Sequence, residues 1–150
     1  MKSAGLAREA GIQGGFWAET PGGQVQVKAG RPCPDLDRLL MSSGYEEWAC
    51  VGALSLGCSR LADDAAEMRR ELVERYVRGI GYVCYHSHGA SEHEPSLLIL
   101  GIPEDAAMRL GVMLEQETVL VGRRGGCPVE RRCGRAADRA WTLGARRRAA

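Results

Sequence analysis

The chain has 150 residues, of which 45% are hydrophobic and 26% are charged, and its formal net charge is +1. This composition is ordinary for a globular protein, and a chain of this length buries roughly two thirds of the surface that it exposes when unfolded, so one folded core is expected. The composition does not suggest wholesale disorder, and no apolar run approaches the length of a membrane-spanning helix.

The N-terminus and the cysteines indicate the compartment. Arg8 and Glu9 form a charged pair where a secretory signal would need an apolar stretch, so we expect a cytoplasmic protein. Without a sign of export, the cysteines are expected to be reduced thiols. They are Cys33, Cys50, Cys58, Cys84, Cys127 and Cys133.

The first part of the chain predicts a hairpin, a short helix and a buried strand. Residues 24–29 alternate apolar and polar side chains after a turn at residues 21–23, and residues 16–19 are the expected partner strand. Pro34 suits the first position of a helix that Gly44 can end. Residues 48–54 form a nearly continuous apolar run, which is typical of a strand covered on both faces.

The second part alternates helices and strands. A long helix is predicted from about residue 62 to 78, with Gly79 as its stop. Strands are predicted at residues 82–86, 97–100 and 118–121, a helix after Pro103, and an edge strand within residues 127–133. The apolar stripe of the long helix is expected to face the core. It consists of Leu61, Ala65, Met68, Leu72 and Tyr76.

These elements predict an α+β fold. From residue 48 onward their order is strand, helix, strand, strand, helix, strand, an arrangement in which two helices cover one face of a sheet. We therefore predict a two-layer sandwich with a mixed sheet, preceded by an extra strand and a short helix. The two fully apolar strands favour an alternative, a doubly wound sheet with helices on both faces. The expected organisation is an N-terminal extension (1–14), a single α+β domain (15–133) and a basic tail (134–150).

Several pieces of the chain follow one another in a characteristic order. They are residues 36–40, the strand at 48–49, the helix with Arg69, the block at 94–102 and Gln116 before the last core strand. In this order they resemble the bacterial family called domain of unknown function 3293, over about residues 15–133. The resemblance implies no known reaction.

The chain departs from that family at two positions. Where the family typically has an asparagine at the end of the central strand and another near the start of the next helix, this chain has Ser55, within residues 52–56, and Ala66. If the asparagines serve an activity, this member has lost it. If they are turn and cap residues, the fold survives with weaker ends.

Two polar residues stand at the entrances of buried strands, Glu94 before one and Gln116 before the other. If these strands pair, both side chains lie at one end of the sheet near Ser55 and Arg69, where they could bind a polar ligand. The alternative is that Glu94 pairs with Arg69 and that Gln116 ties down a loop backbone, because buried polar groups are normally satisfied internally.

A second candidate site is a metal site. Cys84, His86 and His88 alternate along a predicted strand, so all three could point at one zinc ion, with His93 or Glu92 completing the shell. The spacing matches no zinc ribbon and no helical metalloprotease motif. The alternative is that these are edge and loop histidines without a ligand.

The charge is distributed unevenly. Residues 1–122 carry 11 basic and 17 acidic residues, whereas residues 123–150 carry nine arginines and two acidic residues. Arg146, Arg147 and Arg148 could neutralise the phosphates of a nucleic acid. Alternatively, the arginines keep the end of the chain soluble or lie on the acidic face of the domain itself.

The sequence shows no recognisable nucleophile with its base. We therefore predict a small cytosolic, non-catalytic binding or regulatory protein that binds a protein or another ligand through the Glu94 and Gln116 end of its sheet. One alternative is a metal-assisted hydrolase that uses Cys84, His86 and His88. Another is a nucleic-acid-binding protein that uses the arginine tail. No membrane partner is expected.

Overall fold

The computed structural model describes residues 15–52, 63–89 and 95–133. The predicted extension at 1–14 and the predicted tail at 134–150 lie outside this part of the chain. The described elements, in chain order, are β1 (Gly15–Thr20), β2 (Gly23–Lys28), α1 (Pro34–Ser43), β3 (Glu47–Gly52), α2 (Asp63–Ile80), β4 (Val83–His88), β5 (Pro95–Leu100), α3 (Glu104–Met113), β6 (Thr118–Arg123) and β7 (Val129–Arg132).

The described strands form one sheet in the order β2-β1-β4-β5-β3-β6-β7, and every neighbouring pair is antiparallel. In the centre of the sheet, α2 connects β3 to β4, and β5 lies between these two strands. Similarly, α3 connects β5 to β6, and β3 lies between them. These are two interleaved strand-helix-strand units. β3 is therefore central, as its apolar sequence predicts.

The predicted fold class is wrong. A two-layer sandwich with a mixed sheet requires parallel strand pairs, and the described strands contain none. The same finding excludes the doubly wound alternative, whose sheet is mostly parallel. The structure is instead dominated by a curled, half-barrel antiparallel sheet of seven strands, accompanied by three helices in the described part.

Both faces of this sheet are covered, which explains why the apolar sequences of β3 and β5 favoured the doubly wound alternative. On one face, Val73 and Val77 of α2 and Leu110 of α3 pack against the sheet. On the other, Leu36 and Leu40 of α1 join the apolar residues of β1 and β2. Continuous apolar runs report burial on both faces, and they are common in parallel sheets for that reason, but a curled antiparallel sheet produces the same pattern.

The curl of the sheet is visible in one aromatic contact. The rings of Phe16 in β1 and Trp48 in β3 are 5.8 Å apart, in an edge-to-face arrangement. β4 and β5 lie between these strands, so a flat sheet would separate β1 and β3 by roughly 14 Å. The edges also approach each other, because the backbone N–H of Gly30, after β2, donates to the carbonyl of Pro128, before β7, at 2.8 Å.

Local sequence signals set the helix ends. Pro34 is at the start of α1 and Gly44 follows its end with a φ of 81°, as predicted. α2 continues beyond the predicted stop, because Gly79 lies within the helix and Gly81, with a φ of 119°, takes the left-handed position. A glycine near a helix end does not by itself fix which residue is the last.

Candidate functional site

The predicted ligand site depends on β5 and β6 being neighbours, and they are not. β3 lies between them, with Gly52 opposite Ser96 of β5 and Cys50 opposite Leu120 of β6. Because both strands are antiparallel to β3, they run in the same direction and begin at the same end of the sheet, one strand apart. Glu94 and Ser55 lie outside the described residues.

Gln116 is held by the protein backbone. Its side chain is 2% exposed, and its Nε2 donates to the carbonyl of Leu114 at 3.3 Å. Its backbone N–H donates to the carbonyl of Gly111 at 2.8 Å, directly after Glu115, which has a φ of 58°. These bonds close the turn after α3, which is the loop-tying role given above as the alternative to ligand binding. Arg69 is half-buried and also has an interaction partner.

The residues of the predicted metal site have other contacts. Cys84 is fully buried in the core beneath α2 and α3, and burial raises the pKa of its thiol, which disfavours the thiolate that zinc requires. His86 Nε2 lies 2.7 Å from Glu74 Oε1. Across residues 15–52, 63–89 and 95–133, no three His, Cys, Asp or Glu side chains are grouped to hold a metal ion. His93 and Glu92 lie outside these ranges.

Glu74 instead connects α2 to β4. Besides the contact with His86, its Oε2 accepts a hydrogen bond from Arg78 Nε at 2.9 Å, and Arg78 Nη2 donates to the carbonyl of Cys84 at 2.7 Å. The hydrogen bond with His86, followed by the one from Arg78, lowers the pKa of the Glu74 carboxyl, while burial opposes the change. The cluster therefore holds the helix against the sheet.

Replacing Glu74 by glutamine is expected to lower the free energy of unfolding by about 1 kcal/mol near neutral pH, because the ion pair with Arg78 becomes a hydrogen bond between a charged and a neutral group. The folded-state pKa lies below the ordinary value of 4.5. The stabilisation is therefore complete above pH 4.5 and lost as the pH falls through the folded-state pKa. Urea unfolding between about pH 5 and pH 3 should show the gap between wild type and variant closing. A gap that widens on acidification would contradict this role.

A second polar cluster lies inside the curl of the sheet. The Oγ atoms of Ser87 and Ser96 are 2.6 Å apart, and Cys50 Sγ lies 3.5 Å from Ser87 Oγ and 3.8 Å from Ser96 Oγ. Burial raises the pKa of Cys50 to about 12, although the two serine hydrogen bonds act against it. A protonated thiol with two mutually bonded hydroxyls is a satisfied polar core rather than a nucleophile with its base.

A shallow cleft of about 230 Å³ lies beside Trp48, between β3, β6, β7 and the start of α3. Its charged walls are already neutralised. Arg123 pairs with Glu47 at 3.6 Å, and Arg131 pairs with Glu104 at 2.7 Å. A ligand would have to compete with both ion pairs, so this cleft does not support a charged-ligand site.

The most unusual surface is the outward side of α2. Met68, Leu72 and Tyr76 are 63%, 55% and 50% exposed, and we call these three residues the α2 stripe. The expectation that they face the core is wrong, because Val73 and Val77 occupy that position. α2 has two apolar rows about 100° apart, and we assigned the row with the larger side chains to the core. The second row, Val73 and Val77, was the signal that the prediction missed.

Charged residues of both signs flank the α2 stripe. Glu71 and Arg75 are exposed and lie on the same side of the helix, four positions apart. Ile80, which is 55% exposed, adds a further apolar side chain at the end of α2. Large apolar side chains clustered in this way on a surface are typical of interaction sites.

Comparison with known proteins finds no family model, no curated protein and no solved structure that matches the chain. The resemblance to domain of unknown function 3293 therefore stays a prediction. So does nucleic-acid binding by Arg146, Arg147 and Arg148, which lie outside the described residues. None of the described helices is long and apolar enough to cross a membrane.

Proposed function

We propose that this protein is a cytoplasmic, non-catalytic interaction domain whose binding surface is the α2 stripe. The observation that carries the proposal is the exposure of Met68, Leu72 and Tyr76, each at 50% or more, on one side of an 18-residue helix. Apolar anchors spaced four residues apart are a recurring means by which a helix binds a protein partner. Leaving them in water would forgo the free energy that their burial provides.

The attachment of α2 to the sheet supports this role. Arg70 Nη1 donates to the carbonyl of Ser87 at 3.0 Å, and Arg78 Nη2 donates to the carbonyl of Cys84 at 2.7 Å. Together with the contact between Glu74 and His86, these hydrogen bonds hold the helix on β4, so its outward side chains are positioned before a partner arrives. A preorganised surface loses less conformational entropy on binding.

The chemistry of the other clusters supports a non-catalytic role. Glu74, Cys50 and the two serines have partners within the protein, and burial keeps the Cys50 thiol in its protonated, weakly nucleophilic form. This argument concerns the described part of the chain.

Site-specific photo-crosslinking tests the proposal. A benzophenone amino acid at position 72 should yield a covalent adduct with a protein in cells that produce the chain. The matched control is position 41 on α1, because Met41 is also exposed, at 64%, but is not part of the α2 stripe. An adduct of defined mass from position 72 and none from position 41 supports the proposal. Equal labelling from both positions, or none from position 72, contradicts it.

A further inference from the structure

We propose that the partner of the α2 stripe is a second copy of this chain, joined through antiparallel α2 helices around a two-fold axis near Leu72. This inference rests on the proposed function and specifies its partner. It is carried by the juxtaposition of an exposed apolar row with one acid and one base, on the same flank, that make no ion pair with another described residue.

The flanking charges differ from four other charged residues of α2, which form ion pairs within the helix. Arg70 pairs with Glu67 at 2.6 Å, and Arg78 pairs with Glu74 at 2.9 Å. Glu71 makes no ion pair within the described ranges, and neither does Arg75. The flank therefore presents one negative and one positive group that are available to a partner.

An antiparallel two-fold arrangement matches these groups. A two-fold axis near the middle of the helix places Glu71 of each copy opposite Arg75 of the other, which gives two opposite-charge pairs. A parallel arrangement would set this flank against the opposite flank of the partner's helix, away from the partner's copies of Glu71 and Arg75. The two opposite-charge pairs therefore form only in the antiparallel arrangement.

The apolar residues suit nearly the same axis, because exact pairing of positions 71 and 75 would centre on position 73, an offset of about 1.5 Å along the helix from an axis at Leu72. Met68 and Tyr76 lie four residues on either side of Leu72, so the axis places Met68 of one copy against Tyr76 of the other and Leu72 against its own counterpart. Thioether and aromatic groups make favourable contacts. A row with a spacing of four residues also packs against an identical row at the commonest helix crossing angle, about −50°.

The arginine-rich segment at 134–150 is the competing occupant. A polybasic segment would meet Glu71 favourably but would bring like charge against Arg75. A flank with one acid and one base is complementary to a partner that presents the same two groups in reverse order. An antiparallel second copy presents them in this order.

Charge exchange across the interface provides the test. Sedimentation equilibrium of the full chain over a range of concentrations should show a monomer–dimer equilibrium. Glu71→Arg and Arg75→Glu should each raise the dimer dissociation constant at least about tenfold, because each variant places two like-charge pairs in the homodimer. An equimolar mixture of the two variants should associate again, because every pair is then of opposite sign.

The mixture also excludes an effect within one helix. Each variant lacks the attraction between positions 71 and 75 of its own chain, and mixing does not restore it, so recovery must come from contacts between chains.

Leu72→Asp should abolish the dimer and Met41→Asp should not. Circular dichroism of each variant confirms that these surface changes leave the fold intact.

Two outcomes overturn the inference: a wild-type chain that stays monomeric at every concentration, as when the 134–150 segment occupies the α2 stripe, or a mixture that fails to associate. If the chain is monomeric but position 72 crosslinks to a different protein, this inference fails and the proposed function stands. If position 72 forms no adduct either, both fail.

Discussion

Replacing Trp48 by alanine is expected to lower the free energy of unfolding by about 3–5 kcal/mol. The indole is 3% exposed and lies inside the curl of the sheet, where it contacts the ring of Phe16. It also lies against Gly122 of β6, where an added Cβ would be 2.6 Å from the ring. Its loss therefore leaves a cavity between β1, β3 and β6 that the surrounding backbone cannot easily close. Chemical denaturation measured by circular dichroism gives the difference.

Trp17 provides the matched control. It precedes Ala18 on β1 and is half-buried, so Trp17→Ala removes the same side chain from a more exposed position and should cost less than about 2 kcal/mol. If the two substitutions cost the same, the contact between Trp48 and Phe16 does not contribute to stability as we describe. Both variants should be measured at one low protein concentration, so that any dimer does not enter the comparison.

The second large effect concerns two glycines that lie within helices. Gly111→Ala in α3 is expected to destabilise the protein by about 1–3 kcal/mol, because the new Cβ would lie 2.6 Å from Cys133 Sγ and 2.8 Å from Val119 Cγ1. Gly79→Ala in α2 should stabilise it by about 0.5–1 kcal/mol, because nothing lies within 4 Å of that Cβ and alanine favours the helix. Thermal unfolding of the two variants should therefore shift in opposite directions.

The opposite signs test how closely α3 packs on the sheet. The helix propensity term is the same in both substitutions, so a difference between them reports the space at each position. If Gly111→Ala were neutral or stabilising, α3 would lie farther from β6 than the structure places it.

The sequence predicted the position of most elements. The alternation at residues 24–28 predicted a strand, and Pro34 and Gly44 predicted the ends of a helix. The structure has the β1–β2 hairpin and α1 at those places. The order of elements from β3 to β6 is also the predicted one. Local chemistry of this kind is readable because it does not depend on what packs from elsewhere in the chain.

The pairing of the strands could not be predicted from such local patterns. The apolar runs of β3 and β5 show that both faces are buried, but they do not show which strands are their neighbours or in which direction these run. Burial came from the curl of an antiparallel sheet, which depends on contacts such as that between Phe16 and Trp48. No pattern within either strand encodes this contact.

The candidate site was missed for a related reason. Leu72 and Val73 are adjacent in the sequence, and either row of α2 satisfies a helical period. The smaller, β-branched Val73 and Val77 pack against the sheet. The prediction instead placed Met68, Leu72 and Tyr76 in the core because their side chains are larger. Gln116 was recognised as a polar residue at the entrance of a strand, but its bond to the Leu114 carbonyl depends on the left-handed backbone of Glu115.

The hydrogen bond from Gly30 to Pro128 has a consequence for biosynthesis. It joins the segment after the β1–β2 hairpin to the segment just before the last described strand, about 100 residues later in the chain. One edge of β1 is covered only when β4 has been synthesised, and the edges of β3 are covered only by β5 and β6. Pairing between segments so distant in the chain slows folding and exposes unpaired edges during synthesis. The β1–β2 hairpin and β3 therefore expose strand edges that favour aggregation until β4, β5 and β6 have been synthesised.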